Sequence, residues 1–255
     1  MVVQAGFAQG LDISGADSFQ ERASDRSTAS QSGLLGSRIL EIREGRLPWP
    51  PEHFDLVISN QVFEHVADLD AVLREIHRVL KPDGTLLALL PHSGMIWEVH
   101  SRLPMVHWFP RRSRVRFWWS LAMCRCLSRN RNGMSARSWT KHSLAWFDEF
   151  CFYKTRGEID QLLASGFEVH HIEQEYAGFR RNQSRLWRIA MPFSGALAPV
   201  NGPIFRMLGG LVVSARKSEC VPRYTRSTPA MVGSRTPADG AHRPQIGDLR
   251  GRPSA

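Results

Sequence analysis

The chain has 255 residues, of which 42% are hydrophobic, and a formal net charge of +9. This length and apolar content suit one folded domain with appendages. The four cysteines form neither a Cys-x-x-Cys pair nor a disulfide ladder, which argues against structural zinc and favours a reducing cytoplasm. No signal peptide is visible, and prolines and glycines interrupt the longest uncharged stretch, residues 189–205, which argues against a spanning helix there. The composition therefore predicts a cytoplasmic protein.

The first fifth of the chain predicts short alternating elements. Residues 2–6 have the pattern of a last helical turn that ends at Gly6, and residues 8–13 predict a strand. A helix is expected around residues 16–26, and a further strand over residues 38–42.

Residues 47–91 predict a complete parallel βαβ crossover. Residues 54–59 (FDLVIS) and 85–90 (TLLALL) are apolar on both faces, as in strands of a parallel sheet that helices cover. Between them, apolar residues recur at helical spacing, and Asp68 or Asp70 can cap the start of that helix. A Lys-Pro-Asp-Gly turn should separate the helix from the second strand.

The residue pattern of this segment resembles that of the class I S-adenosylmethionine-dependent methyltransferases, and specifically that of the type 11 methyltransferase domain. The shared motifs are Leu-Pro-Trp-Pro, Phe-Asp at the head of a strand, Glu-His after it, and Arg-Val-Leu-Lys-Pro-Asp-Gly, where Asp83 replaces a glycine. The resemblance implies an α/β fold, with a Rossmann-like sheet and helices on both faces. It also implies S-adenosyl-L-methionine as the cofactor, and an enzyme that transfers its methyl group by direct displacement.

The resemblance assigns cofactor contacts to residues that follow the strands. Asp12 stands where the family places the acid that accepts the ribose hydroxyl hydrogens, although the same residue could simply cap a helix. Glu44 is the nearest match to the acid beside the adenine, with a solvated turn glutamate as the alternative. Further contacts are expected from the residues that follow the strand over 54–59, namely Asn60, Gln61 and Val62. His65 is the candidate catalytic base, although the Glu-His pair can also be structural.

The family's glycine-rich loop and the strand before it have no counterpart in the sequence, because Gly6 and Gly10 flank the wrong element. We therefore expect a sheet that is incomplete at the N-terminus, and weak or no cofactor binding by these residues alone. One explanation, which we favour, is that Met1 lies inside a longer reading frame. The other is a degenerate or partner-dependent relative.

Residues 93–153, called the insertion below, lie where the family selects its substrate. His92, just before it, and His100 and His107 within it are substrate candidates that lie near Glu98 in sequence. They could supply a base or metal ligands, but they form no His-x-x-x-His pair, so we predict no metal site.

Nine basic residues and no acidic ones lie between residues 111 and 141, which equals the whole net charge. They are Arg111, Arg112, Arg114, Arg116, Arg125, Arg129, Arg131, Arg137 and Lys141. Residues 115–127 are apolar enough for an interfacial helix, with Trp118 and Trp119 at a headgroup boundary. This pattern indicates either a membrane surface and a lipid-linked or anionic substrate, or a lid over the active site. Nucleic acid is not expected as a partner, because no recognition fold accompanies the charge.

The rest of the chain returns to the family pattern, with a helix over 158–165 and strands over 167–173 and 210–216. The expected organisation is a cofactor-binding part (1–92), the insertion (93–153), the C-terminal part of the same domain (154–217) and a disordered tail (218–255). The expected function is methyl transfer to a small-molecule or lipid-type acceptor. The alternatives are a non-catalytic partner subunit and a degenerate fragment.

Overall fold

The computed structural model describes residues 2–19, 23–127, 133–183 and 185–219. Its helices are α1 (Val2–Ala8), α2 (Ala23–Gln31), α3 (Leu69–Val79), α4 (Arg114–Cys126), α5 (Ala136–Phe150), α6 (Arg156–Ala164), α7 (Glu173–Gln183), α8 (Arg185–Ala190) and α9 (Asn201–Gly209). Its strands are β1 (Gly15–Asp17), β2 (Ile39–Glu41), β3 (Phe54–Asn60), β4 (Leu80–Leu90), β5 (Phe167–His171) and β6 (Leu211–Lys217). Nearly all of the predicted tail, together with Arg129, Arg131 and Cys220, lies outside the described residues.

The predicted α/β fold is confirmed. The main sheet has the strand order β3-β4-β6-β5, in which β3 and β4 are parallel and β6 is antiparallel to both of its neighbours. A second sheet consists of β1 and β2, paired in parallel. The predicted βαβ crossover is β3-α3-β4, and the predicted C-terminal helix and strands are α6, β5 and β6.

Helices cover both faces of the main sheet. Alternate residues of a strand point to opposite faces, and on β6 they contact different helices. Leu211 and Val213 of β6 lie in one apolar cluster together with residues of α3 and α6. Val212, between them, lies in a second cluster with Phe205 of α9 and Ala177 of α7. The central strands β4 and β6 are therefore buried between two helical layers.

The predicted turn at residues 81–84 is a bulge within β4. Pairing with β3 jumps from Leu80, opposite Phe54, to Thr85, opposite Leu56. Asp83 has a φ of +62°, a left-handed conformation that glycine adopts freely and Asp tolerates. This conformation explains why Asp can stand where the methyltransferase pattern has a glycine.

Helix α3 holds the Leu-Pro-Trp lead-in through polar contacts. Asp68 caps the helix by accepting a hydrogen bond from the Ala71 N–H at 3.0 Å. The Arg78 guanidinium donates to the carbonyls of Leu47 and Trp49, and Leu47 N–H donates to Glu75. The Leu-Pro-Trp lead-in therefore has a structural role and is held against α3.

The expected strand at residues 8–13 is wrong. Helix α1 continues to Ala8 and ends in a Schellman motif, in which Leu11 N–H donates to the Gly6 carbonyl and Gly10 N–H to the Phe7 carbonyl. Gly10, with a φ of +78°, is the residue that ends the helix, so Gly6 does not. The strand follows at β1, which overlaps the first two residues of the range expected to be helical, because the sequence pattern did not reveal that α1 extends to Ala8.

Strand β3 forms an edge of the main sheet and is covered incompletely. Leu56 and Ile58 are 49% and 53% exposed, whereas their partners on β4, Thr85 and Leu87, are half-buried. In the described residues β3 pairs with β4 alone, so its second edge carries no strand there.

The insertion forms a helical layer of its own. Helices α4 and α5 pack against each other around an apolar cluster that includes Leu121, Cys124 and Trp139. The predicted interfacial helix is α4, on which Trp118 is 55% exposed, while the Trp119 indole N–H donates to the Pro104 carbonyl. Among the described residues, none of the helices combines the length and the apolar character needed to cross a membrane.

Candidate active site

The carboxyl end of β3 opens into exposed polar backbone and side chains. Asn60 is the last residue of β3, and Gln61 and Val62 follow it, all three exposed. Gln61 has a φ of +54°, and its N–H donates to the Leu89 carbonyl of β4 at 2.7 Å. Immediately after them, a turn of 3₁₀-helix (Phe63–His65) directs Glu64 and His65 into the protein.

His65 meets His100 of the insertion. Their Nε2 atoms are 3.1 Å apart, and the rings meet edge to face. Oε1 of Glu64, a fully buried side chain, lies 3.9 Å from His65 Nε2 and 3.8 Å from His100 Nε2. Residues that are separated by 35 positions in the chain therefore form one compact group.

Glu98 and Tyr153 support this group from the insertion side. Glu98 Oε1 accepts hydrogen bonds from the backbone N–H of His100 at 2.9 Å and from the Tyr153 hydroxyl at 2.9 Å. Burial alone would raise the pKa of Glu98, but the hydrogen bonds from His100 and Ser101 outweigh it and hold the pKa at about 2. Burial and the nearby Glu98 raise the pKa of Tyr153, so its hydroxyl stays protonated and donates. Glu98 is therefore an ionised carboxylate that hydrogen bonds hold in place, and both the Tyr153 hydroxyl and the His100 imidazole contact it.

The other two substrate candidates are placed differently. His92 is buried, and its ring contacts Gly94 N–H at 3.1 Å and the Arg206 carbonyl at 3.2 Å, which ties the end of β4 to α9. His107 packs against the Tyr153 ring at 5.2 Å between ring centres. Burial lowers the pKa of both histidines. Of the three, only His100 is in direct contact with His65.

The two acids expected to bind the cofactor lie in the N-terminal part. Asp12 is in the connection between α1 and β1, with a side chain that is 91% exposed and paired with Arg38. Glu44 lies exposed in the turn after β2 with a φ of +52°. The strand that was expected over residues 8–13 is β1, and the acid at its carboxyl end is Asp17. The sequence interpretation did not select this residue. Whether Asp12, Glu44 or Asp17 contacts a cofactor stays a prediction.

Sequence reasoning also missed the roles of Glu64 and Tyr153. Glu64 belongs to the Glu-His motif, but nothing in the sequence shows that its carboxylate is buried beside His100. Tyr153 is the last residue of the insertion, where the resemblance places the selection of the substrate, and this was the available signal.

The first third of the chain matches a known protein family. Residues 3–88 match the family described as "Methyltransferase domain". This segment belongs to the methyltransferase-domain family. The match runs from α1 to near the end of β4, so the methyltransferase segment ends just before the insertion begins.

Curated relatives match the methyltransferase segment over short stretches. The ubiquinone/menaquinone biosynthesis C-methyltransferase UbiE of Shewanella sp. (strain ANA-3) is 37% identical over 65 residues, which is 25% of this chain and 26% of that protein. The mitochondrial arginine-hydroxylase NDUFAF5 of Danio rerio is 36% identical over 59 residues, which is 23% of this chain and 18% of that protein. The aligned stretch spans only about a quarter, or less, of these relatives' length, and their names differ in reaction.

Among solved structures, an S-adenosylmethionine-dependent methyltransferase from Mesorhizobium loti aligns with 84% of this chain and 84% of its own. The sequence identity is 18% and the TM-score is 0.46. Since the score is below 0.5, this likeness carries no argument about function.

Proposed function

We propose that the protein transfers a methyl group from S-adenosylmethionine to a small-molecule or lipid-type acceptor. One observation supports this proposal above the others. The methyltransferase segment leads, at the carboxyl end of β3, directly into the group of His65, His100, Glu98 and Tyr153, to which the insertion contributes three members. Ligands of open α/β sheets bind outside the carboxyl ends of the strands, which is where this group lies.

The group has the chemistry to hold an acceptor and remove its proton. The Nδ1 atom of His65 lies 2.8 Å from the Phe150 carbonyl, which can only accept, so Nδ1 carries a hydrogen. In the neutral ring Nε2 then carries a lone electron pair, on the side that faces His100 Nε2 at 3.1 Å. That Nε2 can accept a proton from an acceptor hydroxyl. Tyr153 and Glu98 fix the position of His100 opposite it, and Trp146 lies against both imidazoles, which limits the access of water.

The described residues fit part of the proposed cofactor. S-adenosylmethionine, when bound, supplies a methyl carbon on a positively charged sulfur, which is already a strong electrophile. Exposed carboxylates at Asp12 and Asp17 can accept ribose hydroxyl hydrogens, and the amides of Asn60 and Gln61 can contact polar atoms of the methionine part. Within the part of the chain that the structure describes, no glycine-rich loop follows a strand and could approach the rest of the cofactor.

Calorimetric titration with S-adenosylmethionine tests this proposal. It is run on the 255-residue chain and, where in-frame codons precede Met1, on a chain lengthened by them. We expect weak or no binding by the first, and binding by the second that Asp12→Ala weakens at least about 10-fold, since a charge-assisted hydrogen bond contributes about 1.5–3 kcal/mol. Glu168→Ala, which removes an exposed acid of β5, is the matched control and should bind normally. No binding by either chain would overturn the enzyme proposal and favour the partner-subunit alternative.

We further propose that the acceptor is presented at an anionic membrane surface through α4. Val115 and Trp118 are exposed on this helix, next to the exposed arginines Arg112 and Arg114. Aromatic side chains beside basic ones favour the boundary of anionic headgroups. The name of the Shewanella relative, which refers to ubiquinone and menaquinone, also supports a lipid-type acceptor.

Flotation with vesicles tests this contact. The protein should float with vesicles that contain phosphatidylserine and stay unbound with purely zwitterionic ones. Trp118→Ala should reduce flotation several-fold, whereas Phe179→Ala, which removes a similarly exposed aromatic ring from α7, should not. Flotation that is independent of anionic lipid, or unchanged by Trp118→Ala, would contradict the proposal.

A further inference from the structure

The group formed by Glu64, His65 and His100 has an arrangement that two imidazoles alone do not favour. His65 donates through Nδ1 to the Phe150 carbonyl at 2.8 Å. His100 donates through Nδ1 to Glu98 Oε1 at 2.8 Å, because that carboxylate already accepts from the backbone N–H of His100 and the Tyr153 hydroxyl. Both Nε2 atoms of the neutral rings therefore present electron pairs, and these face each other at 3.1 Å.

Two electron pairs at this distance repel unless a positive charge lies between them. The fully buried Glu64 carboxyl group lies on the same side, within 4 Å of both nitrogen atoms. The charge can be a proton shared by the rings, or it can be a metal ion.

The ligand spacing is close to that of a metal centre. Two ligands at about 2.0–2.1 Å from a tetrahedral ion are about 3.3 Å from each other. The two Nε2 atoms, at 3.1 Å, need almost no movement, and Glu64 Oε1 needs to approach each of them by about half an ångström to match that spacing. The three ligand atoms lie within 4.8 Å of one another, and His65 and His100 remain partly exposed, which leaves a path for an ion and a fourth ligand.

The contacts behind the two imidazoles also match a metal centre. Histidines that bind a metal usually donate their other ring N–H to a carboxylate or a backbone carbonyl, which fixes the tautomer and raises ligand basicity. His100 does so to Glu98, and His65 does so to the Phe150 carbonyl. A proton-sharing pair does not require both of these outer contacts.

We propose that Glu64, His65 and His100 bind one divalent transition-metal ion, with the fourth position open to water or to an oxygen of the acceptor. Two imidazoles and one carboxylate suit Zn²⁺, Co²⁺ or Fe²⁺, whereas Mg²⁺ and Ca²⁺ prefer oxygen ligands. The sequence predicted no metal, because the ligands come from two segments 35 residues apart and form no helical His pair. A bound ion would face the acceptor in place of His65 Nε2 and would lower the pKa of the acceptor hydroxyl.

Titration of the chelator-treated chain with Co²⁺ tests this site, read by visible absorption and by equilibrium dialysis. The expected result is one Co²⁺ per chain, displaced by Zn²⁺ and not by Mg²⁺. His100→Gln and Glu64→Gln should weaken binding by more than about 100-fold, and Glu98→Gln, which changes only the outer contact, by about 10- to 100-fold. His142→Gln, which removes an exposed histidine of α5, should bind like the unaltered chain.

Circular dichroism of each variant checks that it is folded, and the unaltered chain alone can refute the site. Absence of Co²⁺ binding by the folded, unaltered chain overturns the proposal and leaves the shared proton. Binding that His100→Gln does not weaken, or that His142→Gln abolishes, overturns it as well, because the ion would lie elsewhere. No cofactor or acceptor is present in this experiment, so its failure is distinct from failure of the methyl-transfer proposal.

Discussion

The main sheet and the insertion are stabilised in different ways. The sheet buries aliphatic side chains against α3 and α6, with Leu73, Leu86 and Val213 among those fully removed from solvent. The insertion buries charged and polar groups beside its apolar ones, including Glu98 and Arg116. Apolar burial stabilises without supplying any chemistry, whereas burying a charge costs free energy unless it is paired. The buried charges of the insertion therefore indicate where function should be sought.

The largest expected effect is in the sheet. Leu73 of α3 is 0% exposed, so Leu73→Ala should lower the free energy of unfolding by about 3–5 kcal/mol through lost burial and a cavity. Leu56→Ala on the open face of β3, where the side chain is 49% exposed, should cost less than about 1 kcal/mol. Urea denaturation measures both. Equal losses would show that a partner covers the open face.

A similar loss should follow from breaking the buried ion pair of the insertion. The Arg116 guanidinium pairs with Asp148 and lies 4.8 Å from the centre of the Phe147 ring. Arg116→Met should cost about 3 kcal/mol, because it leaves the half-buried Asp148 carboxylate without its partner. The double variant with Asp148→Leu should recover most of that loss in the same denaturation measurement. If the single variant were as stable as the unaltered chain, the insertion would not depend on its buried charges.

Acidification should have a smaller effect on the free energy of unfolding, through a histidine of the insertion. Burial lowers the pKa of His107 below its unfolded value, so the neutral ring contributes stability that is present above about pH 6.5 and lost as the pH falls through the folded value. His107→Phe, which keeps a ring against Tyr153, should flatten the fall of stability between pH 7 and pH 5, by at most about 1.4 kcal/mol per pH unit. His170→Phe, on the exposed side of β5, is the control. An unchanged slope for His107→Phe would contradict this assignment.

How far the fold could be predicted depended on the same difference between regions. The β3-α3-β4 crossover, α6 and β6 followed from apolar periodicity, which local residue spacing determines. Asp83 and the bulge of β4 were visible only as a turn, and β1 was misplaced because the Schellman end at Gly10 extends α1 beyond the apparent stop at Gly6. The contact between His65 and His100 could not be predicted, since it depends on how the insertion folds back over the strand ends.

The most direct test of the proposed function is transfer of a labelled methyl group. The protein, as the longest chain that binds S-adenosylmethionine, is incubated with methyl-labelled cofactor and an extract of cells that lack the gene. Label should appear in a small-molecule or lipid fraction, and His100→Gln should reduce it by about 100-fold while cofactor binding is kept and His142→Gln transfers normally. The proposal would be contradicted if a chain that binds the cofactor transferred no label, or if His100→Gln transferred it as fast as the unaltered protein.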